Sequence, residues 1–162
     1  MNLQYSEPGL DPVTIEGVFK APVERVFRAW TDPDEVMAWF GQKAGSLVAA
    51  EIDLRVGGRW AFTVLETEEQ TSRMEGEYLE IVPGARLVFS WVHVRDYRDG
   101  RREATAPSRV TVVFEAMGKA TRVSLVHSGI GSRDARLGVG KGWTSSFAAL
   151  RALLETGRAG MI

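Results

Sequence analysis

The chain contains no cysteine. That excludes a disulfide framework, thiolate metal sites and a cysteine nucleophile together. Histidine occurs only twice, as His93 and His127, and two histidines without a carboxylate at fixed close spacing make a poor metal site. Lysine is scarce, 4 residues against 16 arginines, a bias that reads as base composition more readily than as function. Neither sign of charge dominates: 20 basic and 21 acidic residues give a net charge of -1. A broad nucleic-acid footprint needs clustered excess cation, so nucleic acid is not an expected partner. No apolar run approaches the roughly 18 residues of a membrane span. The segment from Met1 to Val13 carries Glu7, Asp11 and two prolines, and lacks the basic start and apolar run of a secretory signal. The expected location is the cytoplasm, without membrane insertion.

What remains is 162 residues, 44% hydrophobic and 25% charged. These values suit one globular domain over 1–162, with a core from about 13 to 156. Val13 to Lys20 has a period near two and many β-branched residues, so it reads as a strand. After Ala21-Pro22, the residues Val23, Val26, Phe27 and Trp30 recur on one helical face. Thr31-Asp32-Pro33 stops that helix; Asp32 can cap and Pro33 open a second short helix through Phe40, ended by Gly41.

Strands follow over Leu47–Leu54, Arg59–Leu65 and Arg73–Val82, with turns at Gly57-Gly58 and Pro83-Gly84. Leu87, Phe89 and Trp91 share one face. His93 to Pro107 is charged and reads as a long hairpin loop. Val110, Val112 and Phe114, then Val123, Leu125 and His127, mark two further strands around a Gly118-Lys119 turn. Gly129 to Gly142 reads as a glycine-punctuated connection whose right-hand edge belongs to the final helix. From Trp143 the period becomes 3.6, with Phe147, Leu150 and Leu154 on one stripe and Val139 a turn earlier. Gly157 is the expected C-terminal cap.

This order predicts an α+β architecture: a curved antiparallel sheet of about six or seven strands around a long C-terminal helix, with two short helices after the first strand. Four of the five tryptophans, Trp30, Trp60, Trp91 and Trp143, fall at inward or helix-facing positions, and Trp39 near the rim. A core built only for packing more often uses leucine and isoleucine. Trp60, Phe62, Phe89, Trp91, Trp143 and Phe147 therefore make a candidate lining for an apolar cleft, with Trp39, Met74 and Tyr78 beside them. A filled aromatic core is the competing reading.

Several motifs then resemble a known family. Ala21-Pro22-Val23-Glu24-Arg25-Val26-Phe27-Arg28-Ala29-Trp30-Thr31-Asp32-Pro33 is similar to the opening of proteins related to the C-terminal domain of the Hsp90 ATPase activator. Trp39-Phe40, Val56-Gly57-Gly58-Arg59-Trp60, Gly76 through Trp91 and Gly142-Trp143 fit the same pattern in the same order. The resemblance implies a helix-grip, START-like fold, shared with Bet v 1-type proteins and polyketide cyclases. It also implies a hydrophobic cavity between sheet and C-terminal helix. It implies no single activity, because the fold hosts binding proteins, transfer proteins and enzymes. The eukaryotic activator engages its chaperone through a separate N-terminal domain, for which 162 residues leave no room.

Strand parity points His93 and His127 inward, each at a strand end, where a histidine can orient a ligand or exchange a proton. A hydrogen-bonded rim histidine is the blander alternative. Glu75 and Glu77 share a strand face, with Glu80 on the other unless a bulge intervenes; a carboxylate entering the cavity would be a candidate base. Arg59 and Arg73 can anchor an acidic head group or make surface ion pairs. Val56-Gly57-Gly58-Arg59 and Gly138-Val139-Gly140-Lys141-Gly142 match no phosphate-binding fingerprint, a serine nucleophile elbow is missing, and no cofactor is expected. The leading expectation is binding of a small apolar or amphipathic molecule by a monomer or homodimer, with Trp39, Trp60, Phe62, Met74, Tyr78, Phe89, Trp91, His93, His127, Trp143 and Phe147 as the ligand-binding residues. The alternatives are a cyclase-like or hydrolytic enzyme using the same cavity, and a chaperone-associated or regulatory interaction module.

Overall fold

A computed structural model describes residues 3–41 and 47–156. The chain opens with β1 (Gln4–Tyr5) and β2 (Val13–Phe19), then α1 (Val23–Thr31) and α2 (Pro33–Trp39). Seven more strands follow: β3 (Leu47–Ile52), β4 (Arg59–Thr67), β5 (Gln70–Val82), β6 (Arg86–Tyr97), β7 (Arg102–Ala104), β8 (Ser108–Met117) and β9 (Ala120–Ser128). The helix α3 (Arg133–Thr156) ends the described chain. The sheet runs β1-β2-β9-β8-β6-β5-β4-β3, with β7 paired to β6 beyond the end of β8. Every pairing is antiparallel. The two short helices carry the chain from β2 across to the opposite edge at β3.

Local chemistry accounts for most of these elements. In β2 every second side chain is buried, which seats Val13, Ile15 and Phe19 inward. Pro33 begins α2, and the Asp32 carboxylate accepts from the Asp34 N–H at 2.9 Å, as an N-cap does. Gly41 leaves α2 at φ 113°, a conformation that favours glycine. The inner face of α3 is Trp143, Ser146, Phe147, Ala149, Leu150 and Ala152. It packs against β2 and α2; Phe147 meets Phe19 edge-on at 5.7 Å.

Four sequence expectations need correction. The sheet has nine strands among the described residues, not six or seven. His93–Pro107 is not a loop: β6 continues to Tyr97, turns through Asp99-Gly100, and returns as β7. Polar residues on both faces hid the period of two there. Helix α3 begins ten residues before Trp143, with Gly138, Gly140 and Gly142 inside it. Ser132, whose hydroxyl accepts from the Ala135 N–H at 3.1 Å, was the readable start signal. Each interior glycine costs about 1 kcal/mol relative to alanine, and packing on β2 offsets that cost. Trp39 is not at a rim but buried, its indole N–H donating to Ala29 O at 2.8 Å. The expected cap at Gly157 lies outside the described residues.

One glycine in the sheet is required by close approach. A Cβ at Gly76 would lie 1.9 Å from Ser90 O and 2.9 Å from the Trp60 indole nitrogen. The bare backbone lets Trp60 lie over β5 and donate to Ser90 O at 3.2 Å. Gly76→Ala is expected to lower the unfolding free energy by about 2 kcal/mol or more and to shift the Trp60 indole resonance. A urea midpoint equal to that of the wild type contradicts this close approach.

Candidate functional site

The inner face of the sheet is organised in rows. Trp60 pairs with Gly76, Phe62 with Met74, and Tyr78 with Phe89. Phe89 continues to Val110 and then His127; Trp91 pairs with Ser108. The rings meet in tilted and edge-on contacts: Trp60 to Phe62 at 4.9 Å, Trp60 to Trp91 at 5.4 Å, and Trp91 to Trp143 at 5.5 Å. Phe40, from the end of α2, fits among Phe62, Trp91 and Trp143 at 4.9, 6.0 and 5.6 Å.

These rings enclose a cavity lined by Trp30, Val36, Trp39, Phe40, Trp60, Phe62, Tyr78, Leu87, Phe89, Trp91 and Trp143. Seven of the expected ligand-binding residues are among them. Met74 and His93 lie one row further out, and His127 stands behind Trp143. Phe147 is fully buried on the other side, against Phe19 and Trp30. The expected ligand-binding residues left out Trp30, Val36, Phe40 and Leu87; Trp30 was read as inward-facing, and the apolar pair Trp39-Phe40 before Gly41 was the available signal for Phe40. The volume is about 20 Å³, room for roughly one water molecule. The open cleft expected from the aromatic pattern is thus nearly filled, because Phe40 inserts from α2 and the rings interlock.

The rings differ in how they are held. Three indoles are tied by their N–H groups: Trp39 to Ala29 O, Trp60 to Ser90 O, and Trp143 to His127 Nδ1 at 3.1 Å. Trp30 Nε1 is buried and unpartnered among the described residues. Trp91 is only half-buried, and neither its indole N–H nor the Tyr78 hydroxyl has a hydrogen-bond partner among the described residues. Burial drives the Tyr78 hydroxyl far above its usual pKa, so it stays protonated as a donor. The Phe40 ring has no polar atom to tie; its backbone N–H donates to Val36 O at 2.9 Å, and the neighbouring Gly41 is held by the Ser146 hydroxyl, which accepts from Gly41 N and donates to Gly41 O, each at 2.9 Å.

His127 is not a rim residue. It is fully buried beneath Trp143. Trp143 donates to Nδ1, so the proton of the neutral ring sits on Nε2, which donates to Ser108 Oγ at 2.8 Å. Ser108 donates onward to Trp91 O at 3.3 Å. Both ring nitrogens are therefore occupied, and burial pushes the pKa down to about 4 against a weak opposing effect of Asp11. His127 does lie at the end of β9, whereas His93 is displaced from its expected strand end to the interior of β6. Its Nε2 lies 3.2 Å from Ser72 Oγ. Burial first, then the Arg95 charge, lowers its pKa, with Glu66 opposing.

The carboxylates stay outside the cavity. A bulge does intervene between Tyr78 and Glu80, but Glu80 is exposed and paired with Arg86. Glu75 bridges Arg59 and Arg73, and Arg73 reaches Asp96, which also pairs with Arg102. Arg59 and Arg73 thus belong to an ion-pair ladder on the outer face. Among the described residues no group of three or more His, Cys, Asp or Glu side chains could hold a metal ion, and no helix is long and apolar enough to cross a membrane.

The His127 shift has a definite sign. Unfolded, the ring titrates near 6.5; folded, near 4. Above 6.5 both states are neutral and the contribution is complete. As pH falls from 6.5 to 4 the unfolded state takes up the proton first, and about 3 kcal/mol of stability is lost. His127→Gln keeps an acceptor for Trp143 and a donor for Ser108. Urea unfolding of this variant is expected to show that much less acid sensitivity across the same window, leaving the same-signed contribution of His93. Equal pH slopes in the two proteins contradict the assignment.

Comparison with known proteins finds no match among curated proteins. Solved structures do match. A protein from Chromobacterium violaceum is 28% identical, with 90% of this chain and 99% of that one covered and a TM-score of 0.71. The AHSA1 protein from Silicibacter pomeroyi is 26% identical, with 91% and 99% covered and a TM-score of 0.73. A protein from Arthrobacter aurescens, 20% identical over 94% and 91% of the chains, shares the fold at a TM-score of 0.75. The model of the family described as activator of Hsp90 ATPase homolog 1-like protein matches residues 20–155. The grip of α3 by a curved antiparallel sheet, the motifs that run through it and this match agree: the chain belongs to the activator of Hsp90 ATPase homolog 1-like family, AHSA1.

Proposed function

We propose that the chain binds a small, mainly apolar or amphipathic molecule between the sheet and α3, seated against Trp60, Phe62, Phe89 and Trp143. The supporting observation is the unequal anchoring of the rings. The Trp39, Trp60 and Trp143 rings are held by hydrogen bonds, whereas the Phe40 and Trp91 rings have none among the described residues, although the backbone of each is bonded. A guest enters by displacing those two rings while the tied indoles keep their positions. This opening is needed because ligand sites usually measure roughly 300–1,000 Å³, far above the present cavity of about 20 Å³. Apolar contact at roughly 25 cal/mol per Å² supplies the affinity, less the cost of association and of moving the rings. The Tyr78 hydroxyl is an unused donor in the lining.

The test uses 2-methylnaphthalene as probe and the five indole N–H resonances as reporters. Saturable shifts are expected for Trp91, Trp60 and Trp143. Phe40→Ala removes a buried ring, at a cost of about 3 kcal/mol in stability, and leaves space the probe fills. Its affinity for the probe is expected to rise about tenfold, and the probe to restore part of its lost thermal stability. Absence of any saturable indole shift in both proteins contradicts the proposal.

A further inference from the structure

Beyond Trp91 the inner face changes character. There β8 begins, at Ser108 opposite Trp91, while β4, β5 and β6 extend further. The next row holds Phe62, Met74 and His93; beyond it stand Ser72 and Arg95, then Gln70. Gln70 Nε2 and Ser72 Oγ both donate to the Glu66 carboxylate. A carboxylate only accepts, so the Ser72 proton is committed to Glu66. Ser72 Oγ must then accept from His93 Nε2, 3.2 Å away. The neutral ring therefore carries its proton on Nε2, and Nδ1 is an acceptor without a partner among the described residues. The backbone beneath is fixed by two bonds to one residue: His93 N donates to Thr105 Oγ1, and His93 O accepts from Thr105 N, both at 3.0 Å.

This arrangement lies two residues along β6 from Trp91, about 7 Å at the usual strand rise. Apolar rings therefore give way to one open acceptor within the length of a bicyclic molecule. The two charges that act on His93, Arg95 and Glu66, are opposite in sign. An anionic head meets Glu66 and brings no proton for Nδ1; a cationic head meets Arg95. A neutral hydroxyl suits both.

We infer that His93 Nδ1 accepts a hydrogen bond from the hydroxyl of the bound molecule, so that the site selects an apolar ring body bearing a neutral phenol or alcohol. The inference rests on the cavity reading above and adds the chemical class of the ligand. The shared feature of the two histidines makes the contrast clear. His127 has the same tautomer but both nitrogens engaged, whereas His93 offers one.

The experiment compares 2-naphthol with 2-methylnaphthalene, which matches it in size but lacks the hydroxyl proton. Affinities are measured by calorimetry for the wild type and for His93→Phe. The wild type is expected to prefer 2-naphthol roughly three- to tenfold, the range of one net hydrogen bond, and His93→Phe to bring that ratio close to one. In the unaltered protein, the imidazole ¹⁵N spectrum is expected to show Nδ1 of His93 moving on addition of 2-naphthol and not of 2-methylnaphthalene. This second readout needs no variant to fold. Equal affinities in the wild type, a preference that survives in His93→Phe, or a still Nδ1 signal overturns this inference and leaves the cavity reading intact. Binding of neither probe overturns both.

Discussion

The constraint on which this structure depends is that α3 lies directly against only one side of a wide sheet. It packs on β2 and on α2, where small residues and Phe147 allow close contact. Towards β4, β5 and β6 the separation is spanned by side chains. Only the largest rings reach, which is why Trp60, Trp91 and Trp143 occur where leucine would otherwise serve. The space between the layers is thus bridged by a mosaic of flat groups whose edges meet faces, leaving a cavity of about 20 Å³.

Polar tethers decide which tiles of that mosaic are fixed. Buried indole N–H groups usually find an acceptor; here three of the four buried indoles do, each in a different element: α1 for Trp39, β6 for Trp60 and β9 for Trp143, while Trp30 has none among the described residues. The Trp143 bond extends through His127 and Ser108 to the backbone of Trp91, so the helix, β9, β8 and β6 are joined by one neutral chain. The ring of Trp91 is outside that chain although its carbonyl is part of it. Its carbonyl is hydrogen-bonded, while its indole N–H has no partner among the described residues and the ring is held by packing against Phe40, Trp60, His127 and Trp143. His93, two residues on, repeats the logic of His127 with one nitrogen open.

Much of the architecture was legible in the residues. The 3.6 period around Trp143, the Asp32-Pro33 cap and the alternation in β4, β8 and β9 located these elements because one face is buried and the other wet. The strand-borne aromatic positions that line the cavity, Trp60, Phe62, Tyr78, Phe89 and Trp91, were legible for the same reason. The extension of β6 into β7 was not, since neither face of that ribbon is apolar throughout and its charges pair across strands instead. Nor was the first half of α3, where three glycines oppose local propensity and packing on β2 prevails. The roles of the histidines were hidden because parity gives the direction of a side chain but not its partners. The small size of the cavity was hidden too: Phe40 arrives from α2, and no pattern within the sheet announces it.

The central claim is that these rings part to admit a guest while the tied indoles hold. A crystal structure grown with 2-methylnaphthalene tests it most directly. The account predicts the probe among Trp60, Phe62, Phe89 and Trp143, with the Phe40 and Trp91 rings displaced and the three indole hydrogen bonds retained. Rings left in their present interlocked positions, with the probe only on the outer surface, contradict it.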